Sequence, residues 1–491
     1  MLQRVKPLEL ILAESGEHQE HGLKRSLGPW HLIAMGIGAV IGTGIFVLTG
    51  VAAATRAGPS LTLSMVVAAV VSALAALCYS EVASRIPIAG SAYTFAYASV
   101  GELLAWIVGW DLILEYGVGA ATVSIGWAGY LTGFLESVFH VPIPIAWQHS
   151  PFDVGPTGEP LHGIANLPAA FGILLITTLL IRGTRESATV NAVIVAVKVL
   201  VVLFFIAVGF SHVNTNNWQP YFPFGVSGML GGAAFMFFAY IGFDAVSTAA
   251  EETKNPARDL PIGILGSLAI CTVLYIVFVA IITGLVPYTH LNVASPVAYA
   301  IEQAGIPWAA TVIRVGAIAG LTTVLLTMMF GQSRIIFAMA RDGLIPQRFA
   351  AIHPVFRTPA LSTGVLGILI AITAALTPIN FVGSLANMGT LAAFILVSIS
   401  LPILRKRYPD TKGFSVPFGP YIIPALAAIS AFTMMVYLRI GSPTVGNTGI
   451  PVPWFGFIVW LLIGFVLYFL YGRGHSTVGI DEAKEAIQPP A

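Results

Sequence analysis

Four ionisable side chains interrupt long apolar stretches of the chain. Lys198 stands ten residues inside the run 188–211, Asp111 and Glu115 lie four apart in the run 97–124, and Asp244 falls in the run 227–250. If such runs cross a bilayer, each lone charge costs at least about 2.5 kcal/mol, which makes each a candidate for ion or proton work. Asp111 and Glu115 share a helix face. Glu115 is suited to meet a positive group on a bound molecule or to carry a proton; the structural alternative is a protonated carboxyl bonded to a nearby hydroxyl. Asp244 serves either a pocket or the turn beside it. Lys198 lies too deep to snorkel, and a buried lysine either exchanges a proton or sits in a permanent ion pair. Thr322 and Thr323 are its expected hydroxyl partners. Arg314 and Arg334, near the ends of the run 308–340, read as snorkelling or structurally paired. Glu251, Glu252, Lys254, Arg258 and Asp259 read as a solvated loop network.

Two runs are also broken by glycine. The first reads Gly36-Ile37-Gly38-Ala39-Val40-Ile41-Gly42-Thr43-Gly44-Ile45-Phe46, and the sixth reads Phe237-Phe238-Ala239-Tyr240-Ile241-Gly242-Phe243-Asp244. Each glycine costs roughly 1 kcal/mol against alanine in a helix. Backbone groups freed in hydrocarbon are tolerated only where they line a cavity or meet a ligand. Interrupted spans at matching places in two halves are the sequence pointer to a transport site. The competing reading is close helix packing through small residues.

These residues must be positioned by apolar helices. The chain has 491 residues, 57% apolar and 9% charged, against about a quarter charged in soluble domains. That excludes a soluble globular or disordered chain. Runs of about 20 residues without alternation exclude an outer-membrane barrel. Twelve spans are expected: 29–55, 61–83, 97–124, 163–181, 188–211 and 227–250, then 261–287, 308–340, 360–377, 380–403, 418–440 and 453–472. Gly42 and Gly242 would open the first and sixth. The reading is therefore an all-α integral membrane protein of twelve transmembrane helices. It forms a single domain over 29–472, with a first repeat 29–211, a second repeat 227–403 and two last helices at 418–472. The polar segments 1–28 and 473–491 are tails, the former mobile or interfacial and without a cleavable signal. Only Arg56 and Arg439 among the basic residues fall on the outer side, so both termini are expected in the cytoplasm of a cell whose plasma membrane holds the chain.

Other classes find no support. A net charge of +1 gives no basic stripe for nucleic acid. Cys78 and Cys271 cannot form a disulfide framework or a cysteine metal site. No H-E-x-x-H, G-x-S-x-G or Walker A loop appears, so an enzyme, a cofactor and a metal are not expected. No filter repeats around an axis, as a channel would need. Membrane lipids are the expected surroundings, and the sequence leaves oligomeric state and accessory subunits open.

The chain resembles the amino acid–polyamine–organocation superfamily, and within it the cationic amino acid transporter branch. The resemblance rests on 36–46, on the 237–244 stretch running into Glu251-Glu252-Thr253-Lys254-Asn255-Pro256, and on 333–346 ending Ala340-Arg341-Asp342-Gly343-Leu344-Ile345-Pro346. Pro87-Ile88-Ala89-Gly90-Ser91-Ala92-Tyr93 adds a weaker match. It implies the leucine-transporter-type fold, a five-plus-five inverted repeat with broken first and sixth helices and substrate at the breaks. A broken helix offers N–H groups to a carboxylate and carbonyls to an ammonium group, which together suit an α-amino acid. Thr43 and Gly44 would then donate to the carboxylate, just after Ile41 and Gly42 in the same break. Val40, Phe238, Ala239 and Ile241 would accept from the amino group, and Phe238 resembles the family's aromatic gate. Glu115 would receive the distal charge of lysine or arginine, Asp244 would stand in the pocket or hold the break together, and Met328 would limit pocket depth and so admit alanine. Lys198 resembles the lysine whose ammonium replaces a coupling sodium ion, which implies amino acid and proton as partners, with symport or exchange both open.

Overall fold

A computed structural model describes residues 4–6, 26–86, 91–155, 159–183, 188–409, 411, 413–445 and 449–478. The described chain is helical throughout. Its main helices are α1 (Pro29–Val40), α2 (Leu61–Arg85), α3 (Glu102–Phe139), α4 (Leu167–Arg182), α5 (Ala188–Phe210) and α6 (Gly225–Met236). They continue as α7 (Pro256–Leu285), α8 (Pro307–Arg341), α9 (Ala360–Leu376), α10 (Ile379–Arg407), α11 (Gly419–Tyr437) and α12 (Val452–Leu467). Among the described residues nine helical stretches are long and apolar enough to cross a membrane, and α1, α4 and α9 are shorter apolar helices.

The first and sixth runs break as the glycines require. After α1 the chain bends at Ile41 and Gly42, then resumes as a helix with two wide π turns, Gly44–Leu48 and Ala53–Ala57, flanking an α turn Thr49–Ala52. After α6, a 3-10 turn Phe237–Tyr240 ends at Ile241 and Gly242, and a second 3-10 segment Phe243–Glu252 follows. Gly242 has φ +113°, a conformation that side chains rarely adopt.

The third helix is longer than the expected 97–124 run. Residues 125–139 continue it without a proline, through Gly126, Gly129, Gly133 and Glu136, to a left-handed cap at His140. Glu115 therefore lies in its first half. Small residues let helices close: a Cβ built on Gly36 would lie 2.3 Å from Ser267 Oγ of α7, and one on Gly316 2.2 Å from Val201 Cγ2 of α5. Trp110 of α3 stacks on Trp460 of α12 at 4.3 Å, and each indole N–H donates to the other's backbone carbonyl.

The first tail departs from the expectation in part. Lys6 is buried, its Nζ donates to Asp342 Oδ1 at 2.8 Å, and Tyr93 Oη donates to the other oxygen at 2.6 Å. The Glu102 N–H donates to the Arg4 carbonyl at 2.7 Å, and the buried Glu102 carboxylate accepts from Tyr468 and from Ser476. Both chain ends thus dock on one face of the bundle, the terminal face, by meeting carboxylates that would otherwise stay unpaired. Glu81 is buried on α2 and holds Arg85 and Arg405, tying α2 to α10. The stretch 87–90 lies outside the described residues.

Candidate functional site

The two breaks face each other. A Cβ on Gly44 would lie 2.4 Å from Ala239 Cα, and one on Gly242 would lie 2.8 Å from the Ala39 carbonyl oxygen. Gly44 and Gly242 therefore let backbone approach backbone, which is the close packing that competed with a transport site as the reading of these glycines. Gly42 is less confined: its nearest neighbour would be a Val324 methyl at 3.4 Å. The Gly42 carbonyl accepts from Ile45 and Phe46 N–H, starting the second half of the first run. The donors at Thr43 and Gly44 stand at that start, where intrahelical partners run out. The Thr43 hydroxyl is buried against α3 at Gly126 and has no hydrogen-bond partner.

Several backbone groups at the breaks are already engaged. Val40 carbonyl accepts from Tyr275 Oη of α7 at 2.9 Å, so the amino-group acceptor expected there is shared. Phe238 carbonyl accepts from Ile241 N–H at 3.2 Å. Phe238, Ala239 and Ile41 are buried. Asp244 Oδ1 accepts from the Gly242 N–H at 3.2 Å, bracing the turn, and its carbonyl accepts from Ser247.

Glu115, Ile241, Gly242, Asp244 and Met328 surround one small cavity of about 30 Å³, with Ala39, Tyr116, Ala245, Val324 and Thr327. Glu115 and Asp244 are thus brought together beside one cavity, and Asp244 also braces the turn at Gly242. Val40, Ile41, Thr43, Gly44, Phe238 and Ala239 form the break itself rather than the wall of this cavity. Asp111, one turn from Glu115, is buried with neither oxygen bonded.

Lys198 is buried on α5, and its Nζ donates to the Gly38 carbonyl of α1 at 2.8 Å. Its stem lies against Gly320 of α8, where a Cβ would come within 3.0 Å. The expected threonine partners are corrected. Thr322 Oγ accepts from Trp127 and donates to Ile318 carbonyl, and Thr323 Oγ donates to Gly320 carbonyl. A backbone carbonyl near a helix break has no satisfied i+4 donor, so it outcompetes a hydroxyl already bonded in its own turn. Arg314 pairs with Glu302 at 2.7 Å, and Arg334 lies over the Phe330 ring. Asp259 is buried and accepts from Asn255 N–H at the start of α7, so it is a cap rather than part of a solvated network.

A larger cavity of about 680 Å³ opens at the face opposite the terminal face. It is lined by Val47, Val51 and Arg56 beyond the first break, by Ile125 and Thr132 of α3, and by the segment around His149 and Asp153. Its size falls in the range of ligand pockets. Sequence reasoning did not single out Tyr275, Tyr130 or Asn387. Tyr130 Oη donates to Phe46 carbonyl at 2.7 Å, and Asn387 of α10 donates to Ala234 and Phe235 carbonyls. The available signal was a lone amide or phenol inside an apolar run.

Two facing half-helix breaks in an all-helical apolar bundle, with a buried lysine and carboxylates around them, define a multi-pass membrane transporter. The chain belongs to the amino acid permease family, of the amino acid–polyamine–organocation superfamily: a family model described as amino acid permease matches residues 27–477. It is 47% identical to the branched-chain amino acid permease BcaP of Bacillus subtilis over 472 residues, covering 96% of this chain and 97% of that one. The methylthioribose transporter of the same organism is 45% identical, over 97% and 99% of the two chains. The vacuolar cationic amino acid transporter 4 of Arabidopsis thaliana is 40% identical, over 82% of this chain and 66% of that one.

Proposed function

We propose that this chain is a secondary active transporter importing L-α-amino acids by sodium-independent proton symport with alternating access. One observation carries the reading: two broken helices meet with the Thr43 hydroxyl unspent, while Lys198 reaches from α5 to the first break. The carboxylate of an amino acid would bind the Thr43 and Gly44 end of the second half-helix, where the dipole is positive. Its amino group would meet carbonyls from Val40, Ala239 and Ile241, under Phe238. Protonated Lys198 steadies the first helix against α8 as a coupling cation would, and release of its proton lets the pair part. In this reading the fold has twelve crossings in a five-plus-five repeat, lies in the cell membrane and keeps both termini in the cytoplasm.

Glu115 and Asp244 beside the cavity favour a cationic side chain such as arginine or lysine. A second reading is neutral: Ile241, Val324 and Met328 line the same cavity, and the relative BcaP is named for branched-chain substrates. Competition for labelled uptake into proteoliposomes separates them, using arginine, lysine, leucine, valine, alanine and methylthioribose. Inhibition by arginine and lysine supports the cationic reading, and inhibition by leucine and valine alone supports the neutral one. Inhibition by methylthioribose alone removes the amino acid proposal.

A further inference from the structure

The connection from α8 to α9 is folded into a small knuckle that the transport site does not use. His353 N–H donates to Thr358 carbonyl at 2.9 Å, and Arg357 N–H donates to His353 carbonyl at 2.9 Å. The Val355 and Phe356 N–H groups both donate to His353 Nδ1 at 3.3 Å, and the imidazole stacks on the Phe356 ring. These bonds hold apolar side chains outward: Ile352 is 58% exposed, Val355 76% and Phe356 41%. Clustered outside the apolar helices, beside exposed arginines, they form an apolar tip on the connection itself.

Charge accompanies this display. Thr358 Oγ1 donates to the Ile181 carbonyl at 2.7 Å, and Gly183 approaches the Phe356 carbonyl, where a Cβ would lie 3.4 Å away. Those two contacts bring the end of α4, which carries Arg182, against the knuckle that carries Arg357. Both arginines are exposed, and Arg348 on the same connection is exposed as well. Neither residues 343–377 nor α4 contains an aspartate or glutamate. Asp342, just before, is occupied by Lys6 and Tyr93. Arg357 also holds a left-handed backbone, φ +54°, uncommon for a long side chain. Two exposed arginines on neighbouring segments with no aspartate or glutamate among the described residues of either, next to an apolar tip at the ends of membrane helices, complement an anionic headgroup with its acyl chains.

We infer that Arg182 and Arg357, with Ile352, Val355 and Phe356, form a binding site for an anionic phospholipid of the leaflet at the terminal face. The phosphate sits across the two guanidinium groups, and the knuckle tip enters the headgroup–acyl boundary. The test uses the full purified chain in detergent, titrated with phosphatidylglycerol or with phosphatidylcholine of the same acyl chains. Lipid retention is read by native mass spectrometry. Phosphatidylglycerol is expected to be retained in preference, less so as ionic strength rises. Arg182→Gln and Arg357→Gln should each weaken retention about fivefold, while Arg182→Lys and Arg357→Lys keep most of it. Val355→Ser with Phe356→Ser should weaken both lipids together. Equal retention of the two lipids by the unaltered chain overturns the site, as does undiminished phosphatidylglycerol on the double Gln variant. Displacement of the lipid by millimolar inorganic phosphate would mark a free-anion site and overturn the lipid assignment too.

Discussion

Gly44→Ala is the sharpest perturbation of the facing breaks. The added Cβ would lie 2.4 Å from Ala239 Cα, 2.7 Å from its Cβ and 2.9 Å from its nitrogen. Carbon contacts settle near 3.5–4.0 Å, so the two broken helices must part by about 1 Å. The opposing atoms are backbone and cannot rotate aside. Overpacking of this kind costs about 1–3 kcal/mol, and alanine's better helix propensity returns up to about 1 kcal/mol. A net loss of about 1–2 kcal/mol is expected in stability, with substrate affinity falling roughly 5- to 30-fold because the paired breaks are the proposed site. Gly42→Ala is the control: its Cβ meets only Val324 methyls, at 3.4 Å, and should change stability by less than about 0.5 kcal/mol. Thermal unfolding of the purified protein and equilibrium binding of a labelled amino acid read both quantities. The reasoning fails if Gly44→Ala matches the unaltered protein, or if Gly42→Ala proves the more damaging.

Gly242→Ala places a side chain at φ +113° and 2.8 Å from the Ala39 oxygen; it should cost about 1–3 kcal/mol of stability, seen as a lower thermal midpoint. Tyr275→Phe removes the bond to Val40 carbonyl and should cost about 1 kcal/mol, measured the same way; an unchanged midpoint would show that water replaces the phenol. Lys6→Ala removes the ammonium from Asp342 and keeps the Tyr93 hydroxyl on its other oxygen. It should weaken docking of the first tail by about 1.5–3 kcal/mol, so that limited proteolysis cuts the tail faster.

Much of the site was legible because its features are costly. Glycines at 42, 44 and 242 and charges at 115, 198 and 244 have no reason to sit in apolar runs unless something is gained. What stayed hidden depends on residues distant in sequence. The partner of Lys198 is the Gly38 carbonyl, and a backbone acceptor leaves no mark on residue type. Gly44 reads as a ligand-facing break, but its contact with Ala239 is a tertiary fact. The third helix overran its expected end because 125–139 contains no proline, and its three glycines and Glu136 did not stop a helix whose neighbours pack against it. Arg4 and Lys6 look like solvated tail residues until Glu102 and Asp342 are seen to meet them.

The central claim is proton-driven uptake through the broken-helix site with Lys198 as the coupling group, and one measurement addresses it most directly. Proteoliposomes free of sodium, acidic outside and neutral inside, are given the labelled amino acid that the competition panel selects. The unaltered chain is expected to accumulate it above the external concentration and to lose that accumulation when a protonophore collapses the gradient. Lys198→Ala is expected to bind and exchange substrate without concentrating it, since the ammonium that reaches Gly38 carbonyl is gone. Accumulation by Lys198→Ala at the unaltered rate, or uptake indifferent to the proton gradient, would contradict the account.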